Sequence, residues 1–262
     1  MNDMLMSLKL DGWCVLDNII PADEVATVRQ SIIDTTAKHR NPNAPAHIGH
    51  VSGIINYDQS IAPYLADEGL MTLLNTILGP YVRISMTSGT INESGNARGD
   101  WHADWPFNQR NAGSFPAPYP DIVAHITTIW MLAPFTTESG GTLVVSGSHR
   151  MDNNPTGNNG VDPSAPYPTE INATGDAGSV LIMDSRLWHA TAPNTTADPR
   201  VAVVIRYAPW WLDLKPLMPN SVERKLLHQA TGKGDNQVPP MPQAIFETLP
   251  EAVKPLYAHW VI

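Results

Sequence analysis

Between Tyr81 and Tyr207 the apolar residues come in short runs: Val82–Ser88, Ile122–Leu132, Thr142–Val145, Ser179–Met183 and Val201–Tyr207. No helix-length periodicity separates them, and the connecting stretches are rich in Gly, Pro, Asn and Asp. Short strands at this spacing with no helices between them fit an antiparallel sandwich, barrel or jelly roll. Before this region, Gly12–Asp17 reads as a short strand. Pro21 and Asp23 then open a helix whose Val25, Val28 and Ile32 fall at i, i+3 and i+7. A second helix is expected from Glu68 to Leu78, striped by Leu70, Leu73, Leu74 and Ile77 and stopped by Gly79-Pro80. Helical patterns return at Ser221–Gln229 and Pro242–His259. With no repeat or linker, the expectation is one domain over 1–262, with N-terminal helices at about 20–80 and a helical C-terminal segment at about 220–262.

Composition narrows the partners. The chain has 25 acidic and 16 basic residues, a net charge of -9, and no Lys/Arg run. Nucleic acid and anionic membrane surfaces are therefore not expected partners. No apolar stretch approaches the ~18 residues of a membrane span, and the first residues lack a signal-peptide pattern. A cytoplasmic protein is the expectation. Cys14 is the only cysteine, so an intrachain disulfide and a thiolate metal cluster are both ruled out; it reads as a small buried residue of the first strand.

Chemistry enters with Asp100-Trp-His-Ala-Asp-Trp105. Side chains two apart on an extended strand share a face, so His102 and Asp104 can reach one ion. Two histidines and a carboxylate are the donor set of non-haem iron sites that keep positions open for oxygen and a cosubstrate. The pair alone is weak and needs a distant third ligand. His189 supplies a candidate, at the end of an apolar strand and turn. Arg200 opens the next strand eleven residues later. A 2-oxo acid that chelates iron leaves its far carboxylate in need of a buried partner. Arginine suits it, because its fork grips a carboxylate bidentately and stays charged when buried. Arg206 shares the strand parity of Arg200, so without a bulge it points the same way.

Four blocks spanning most of residues 10–210 resemble the phytanoyl-CoA dioxygenase family of iron- and 2-oxoglutarate-dependent oxygenases. They are Asp11-Gly-Trp-Cys-Val-Leu-Asp with Ile20-Pro-Ala-Asp-Glu-Val, then Trp101-His-Ala-Asp104, then Glu138-Ser-Gly-Gly-Thr-Leu-Val-Val-Ser-Gly-Ser-His149, and Trp188-His-Ala-Thr-Ala-Pro-Asn194 with Arg200 and Arg206-Tyr-Ala-Pro209. Ser146 stands where the family usually has proline. The resemblance implies a mainly β protein with flanking helices, a double-stranded β-helix of the jelly-roll, cupin-like kind. It implies Fe(II) held by His102, Asp104 and His189, with 2-oxoglutarate as cosubstrate. Arg200 would hold the far carboxylate of that cosubstrate and Thr191 would support it. Trp130 and Met86 match cosubstrate-pocket positions. Trp105, Phe107 and Arg110, which follow the metal motif, are candidates for substrate contact. His149 and His125 read as structural, and Trp210-Trp211 as packing under the helices.

The implied activity is hydroxylation, or another oxidation, of a C–H bond of a small molecule by O2, releasing succinate and CO2. Halogenation is disfavoured, because Asp104 fills the position a halide would need. The alternative is a metal-binding β-barrel without oxygenase activity, or a non-redox metal enzyme; neither needs Arg200 or Thr191. An idle structural homologue is a third reading, which the intact triad opposes. The substrate and the oligomeric state are not legible. The loops expected to shape the pocket, Pro106–Pro120 and Asp152–Gly175, carry little readable chemistry, although Arg110, Arg150 and Arg186 offer places for one acidic group.

Overall fold

Two antiparallel sheets carry the β structure, and alternation along their strands decides which residues meet between them. The structure is a computed structural model, and it describes residues 1–105, 121–152, 154–155, 160–232 and 237–262. The strands are β1 (Trp13–Leu16), β2 (Ile48–Ser52), β3 (Arg83–Asn92), β4 (Ile126–Met131), β5 (Thr142–Val144), β6 (Ile171–Ala173), β7 (Val180–Asp184), β8 (His189–Ala190) and β9 (Arg200–Ala208). The larger sheet has six strands in the order β1-β7-β4-β9-β3-β2, and the smaller has three, in the order β6-β5-β8. All of the strand pairs are antiparallel. This is the mainly antiparallel, helix-flanked architecture of the jelly-roll class that the sequence led us to expect.

Each strand of the large sheet divides its residues between two jobs. Val201, Val203 and Ile205 of β9, Val180 and Ile182 of β7, and Ile126 and Trp130 of β4 face the helix-side core. There they meet Val25, Val28 and Ile32 of α2 (Ala22–His39) and Leu70, Leu73 and Leu74 of α3 (Glu68–Leu78). Full burial of each such side chain stabilises the fold by roughly 1.5–3 kcal/mol before entropy is counted. The opposite parity faces the small sheet: Ile129, Met131, Leu181, Met183 and Ala202 pack with Val144 and Ala173. That layer closes one end of the sandwich and leaves the other end to polar residues.

The expected helices form where their end signals are strongest. The Asp67 carboxylate caps α3 by accepting from the Leu70 N–H at 2.9 Å, and Gly79 follows at φ 80°. The Ser221 hydroxyl caps α4 (Val222–Thr231) from the Arg224 N–H in the same way. The helical pattern expected over Pro242–His259 is realised as short pieces. Pro250 ends the first, α5 (Gln243–Thr248), and Pro255 sits in the first turn of the next, α6 (Lys254–Tyr257), which a 3-10 turn at Ala258–Trp260 follows. This segment caps the far side of β3: the Trp260 indole N–H donates to the Ile84 carbonyl at 2.6 Å, and Tyr257 and Thr87 share a hydroxyl bond of 2.7 Å. One helix came unannounced, α1 (Asn2–Leu10), which is mostly exposed and buries Leu8 alone. Trp210 and Trp211 do not pack under the helices; they are 60% and 48% exposed. No described helix is long and apolar enough to cross a membrane.

Candidate metal centre

His102 and Asp104 lie outside the regular strands, yet they keep the alternation of an extended chain. Trp101 and Ala103 are buried beside Leu143, Trp188 and Ala190, which turns His102 and Asp104 the other way. One antiparallel bridge fixes this stretch to β8: His102 N–H donates to the His189 carbonyl at 3.1 Å, and His189 N–H returns a bond of 2.9 Å. The backbone pairing thus brings the distal histidine to its partners. The imidazole nitrogens and carboxylate oxygens of His102, Asp104 and His189 offer ligand atoms within 4.8 Å of one another. His189 Nε2 lies 3.7 Å from Asp104 Oδ2, and the two imidazole centroids are 4.3 Å apart.

The hydrogen bonds around the three residues suit a cation. His102 Nδ1 lies 2.9 Å from the Asp100 carbonyl, and His189 Nδ1 lies 2.9 Å from the Leu187 carbonyl. A carbonyl only accepts, so both rings carry their proton on Nδ1 and present the lone pair of Nε2. Burial, with His102 alongside, lowers the His189 pKa to about 4, so this ring is neutral and ready to ligate. Asp104 is buried, and its burial alone would raise its pKa. Arg206 and the two histidines overcome that, holding the carboxyl well below the usual range.

Asp104 is gripped on both oxygens. Arg206 donates to Oδ1, and the Thr127 hydroxyl donates to Oδ2 at 2.7 Å. Behind Thr127 the bonds continue through Ser185 at 2.8 Å, His125 Nδ1 at 2.9 Å and, from His125 Nε2, Ser85 at 2.6 Å. Because Thr127 spends its proton on Asp104, the direction of the chain is settled. Ser185 donates to Thr127, His125 Nδ1–H donates to Ser185, and Nε2 accepts from Ser85, whose hydroxyl also lies 3.2 Å from the Arg206 carbonyl. Burial lowers the His125 pKa to about 3, in keeping with a neutral ring.

These groups open into a cavity of about 370 Å³. Met86, Ser88 and Thr90 of β3, Thr127 and Ile129 of β4, and Arg200, Ala202, Val204 and Arg206 of β9 supply one wall. No bulge interrupts β9, so Arg200 and Arg206 do face the same way. Arg206 is taken by Asp104. Arg200 has no acidic partner among the described residues. Its guanidinium lies over the Phe135 ring at 4.4 Å, its Nη1 reaches Thr142 Oγ1 at a long 3.4 Å, and its Nε has no partner. Burial lowers its pKa to about 10, which leaves it charged.

Of the other expected residues, Thr191 and Met86 line the cavity. Trp130 does not. Its neighbours Thr127 and Ile129 point into the cavity, whereas Trp130 faces the helices and donates its indole N–H to Thr128 Oγ1 at 3.0 Å. All six residues of β4 are buried, so hydrophobicity did not mark its two faces. Trp105 packs against the helix-side core. Phe107 and Arg110 lie outside the described residues. Arg186 and Arg150 are committed to Asp184 and Asp121. Sequence reasoning missed Thr127, and with it Asn41, His50, Ser52 and Gln237, which line the cavity from outside the motif-bearing strands. The even spacing of Thr127 and Ile129 was the one available signal.

The profile of the phytanoyl-CoA dioxygenase family matches residues 8–202. A dioxygenase of Aspergillus fumigatus, af480, is 25% identical over 219 residues, covering 79% of this chain and 66% of that protein. An uncharacterized protein of Mycobacterium tuberculosis is 23% identical over 204 residues, covering 75% and 71%. Among solved structures, HygX of Streptomyces hygroscopicus with nickel and 2-oxoglutarate bound superposes with a TM-score of 0.63 at 16% identity, covering 81% of this chain and 88% of that one. The EctD structure from S. alaskensis with 2-oxoglutarate and 5-hydroxyectoine gives 0.62 at 21%, covering 80% and 76%. The epimerase SnoN, in complex with Fe3+, alpha ketoglutarate and nogalamycin RO, gives 0.62 at 18%, covering 79% and 83%. At these identities the structural likeness speaks for the fold.

Proposed function

The chain belongs to the phytanoyl-CoA dioxygenase family of iron- and 2-oxoglutarate-dependent enzymes, and we propose that it oxidises a C–H bond of a small polar molecule. In this reading His102, Asp104 and His189 hold Fe(II), while Arg200, with Thr191, takes the far carboxylate of 2-oxoglutarate. One observation carries it: a buried arginine without an acidic partner among the described residues lines the same cavity as two histidines and a carboxylate. A metal site without a 2-oxo acid has no use for that charge, so the reading as a plain metal-binding barrel is disfavoured.

Iron with 2-oxoglutarate and O2 supplies the oxidising power, with succinate and CO2 as coproducts. The rest is the work of the chain. The carbonyl-anchored imidazoles keep their lone pairs on one point. Arg206 and Thr127 stop the carboxylate from rotating, which preorganises the centre. Val204 and Ala202 lie between Arg206 and Arg200 along β9 and, with Ile129 opposite Val204, would form an apolar floor beneath the cosubstrate. The outer lining of Asn41, His50, Ser52 and Gln237 supplies uncharged or weakly basic hydrogen-bonding groups, which suits a small hydroxylated or amide-bearing substrate better than a long acyl chain. Incubating Fe(II)-loaded protein with 2-oxoglutarate and O2 tests the proposal. Succinate formation that depends on Fe(II) supports it. A protein that binds Fe(II) yet neither binds nor consumes 2-oxoglutarate refutes it.

A further inference from the structure

Asn92 is the last residue of β3 and continues the row Met86, Ser88, Thr90 that lines the cavity. The ladder sets it directly opposite Arg200, just as Thr90 stands opposite Ala202, with Ile48 of β2 on its other side. Its side chain is fully buried, and neither the amide nitrogen nor the amide oxygen has a hydrogen-bond partner among the described residues. Its backbone carbonyl is satisfied, accepting from Asn194 Nδ2 at 3.0 Å. The deficit therefore belongs to the side chain alone. The facing guanidinium is also incomplete, with its Nε unpartnered.

Buried amides almost always find partners. Two incomplete polar groups, one a donor-rich cation and one an amide, face each other across one strand pair beside the metal cavity. A carboxylate satisfies both. Its two oxygens offer about four acceptor sites, and a guanidinium fork fills two of them. An amide N–H can fill a third, and the amide oxygen remains available to a guanidinium N–H. Building on the assignment of Arg200 above, we infer that Asn92 is a second ligand for the far carboxylate of the 2-oxo acid, and that the pair sets the length of 2-oxo acid the site accepts.

The test is calorimetric titration of Mn(II)-loaded protein with 2-oxoglutarate and, separately, with 2-oxobutyrate, which lacks the far carboxylate. Asn92→Ala removes the donor and should weaken 2-oxoglutarate by about tenfold to a hundredfold. Asn92→Asp should weaken it further, because the new carboxylate pairs with Arg200 and repels the ligand. Binding of 2-oxobutyrate, weak in the wild type, should be the same in all three proteins, which also verifies that the variants are folded. Wild-type affinity for 2-oxoglutarate in both variants overturns the inference and leaves the amide to a buried water. If the wild type itself binds 2-oxobutyrate as tightly as 2-oxoglutarate, the cosubstrate assignment of Arg200 falls, and the role of Asn92 falls with it.

Discussion

Arg200 and Arg206 are chemically identical, sit six positions apart on one strand and line one cavity, yet their neighbours give them different tasks. Arg206 is neutralised by Asp104, whereas Arg200 faces the cavity with no acidic partner among the described residues. Arg200→Gln should therefore leave the 2-oxoglutarate carboxylate buried and unpaired, at a cost of roughly 3–5 kcal/mol. That corresponds to about a hundredfold to a few thousandfold in affinity. Lysine should restore only part of it, since it offers a point charge in place of a fork. An anaerobic titration of the Fe(II)-loaded proteins, following the visible band of the chelate, reads the effect. Arg206→Gln should lower metal affinity more than 2-oxoglutarate affinity, and the reverse ranking would mean that the two roles are exchanged. Thr127→Val removes one grip on Asp104 and leaves Ser185 without its acceptor. A loss of about tenfold to a hundredfold in metal affinity is expected, as for other residues that orient metal ligands. Competition against a chromophoric chelator measures it, and an unchanged constant would show that Arg206 alone fixes the carboxylate.

At the scale of elements, the junction between β8 and β5 depends on two glycines. Gly140 has φ 82°, and a Cβ there would lie 2.8 Å from the Ala192 carbonyl oxygen and 2.9 Å from that of Pro193. Gly141 stands equally close to the Ala173 carbonyl. Gly140→Ala pays for the left-handed conformation, roughly 1–2 kcal/mol, and must also push backbone aside. A loss of at least about 2 kcal/mol in urea unfolding is expected, and a neutral result would mean that this turn relaxes freely. The Gly-Gly block entered the sequence reading only as part of the family resemblance; its close backbone approach is visible only in the fold. The capped, striped α3 and the apolar β9 did leave a readable mark in the sequence. Short elements leave no such mark. The five residues of β2 include Gly49 and His50, and the two residues of β8 are too few for any period. Both are specified by their ladder partners. The same limit explains the site. The triad and Arg200 could be read from their spacing together with the family resemblance, whereas Trp130, placed in the cosubstrate pocket by that resemblance alone, faces the helices. His50 was missed because only the pairing of β2 with β3 brings it to the cavity, and Asn92 because only the ladder sets it opposite Arg200.

For the molecule as a whole, histidines held neutral in the fold tie stability to pH. His259 lies against Trp260 in the C-terminal cap. Burial lowers its pKa from 6.5 to about 4, with Arg83 nearby adding to the effect. His125 is lowered to about 3 by burial. Between these values and about 6.5 the unfolded chain binds protons that the folded chain refuses, so stability rises with pH across that window. It is fully present above the unfolded pKa and is lost as pH falls from about 6.5 toward 4. The urea midpoint should therefore fall steadily below neutral pH, well before ordinary carboxylates titrate. His259→Phe removes one contributor and keeps an aromatic ring against Trp260. This variant should fold normally at neutral pH and show a shallower decline on acidification, with His125 and His189 supplying the remainder. An equally steep decline would mean that the C-terminal cap already opens in the native state and admits water to His259. Hydrogen exchange at Trp260 and Ile262, whose amide donates to the Met241 carbonyl, would then be fast at every pH.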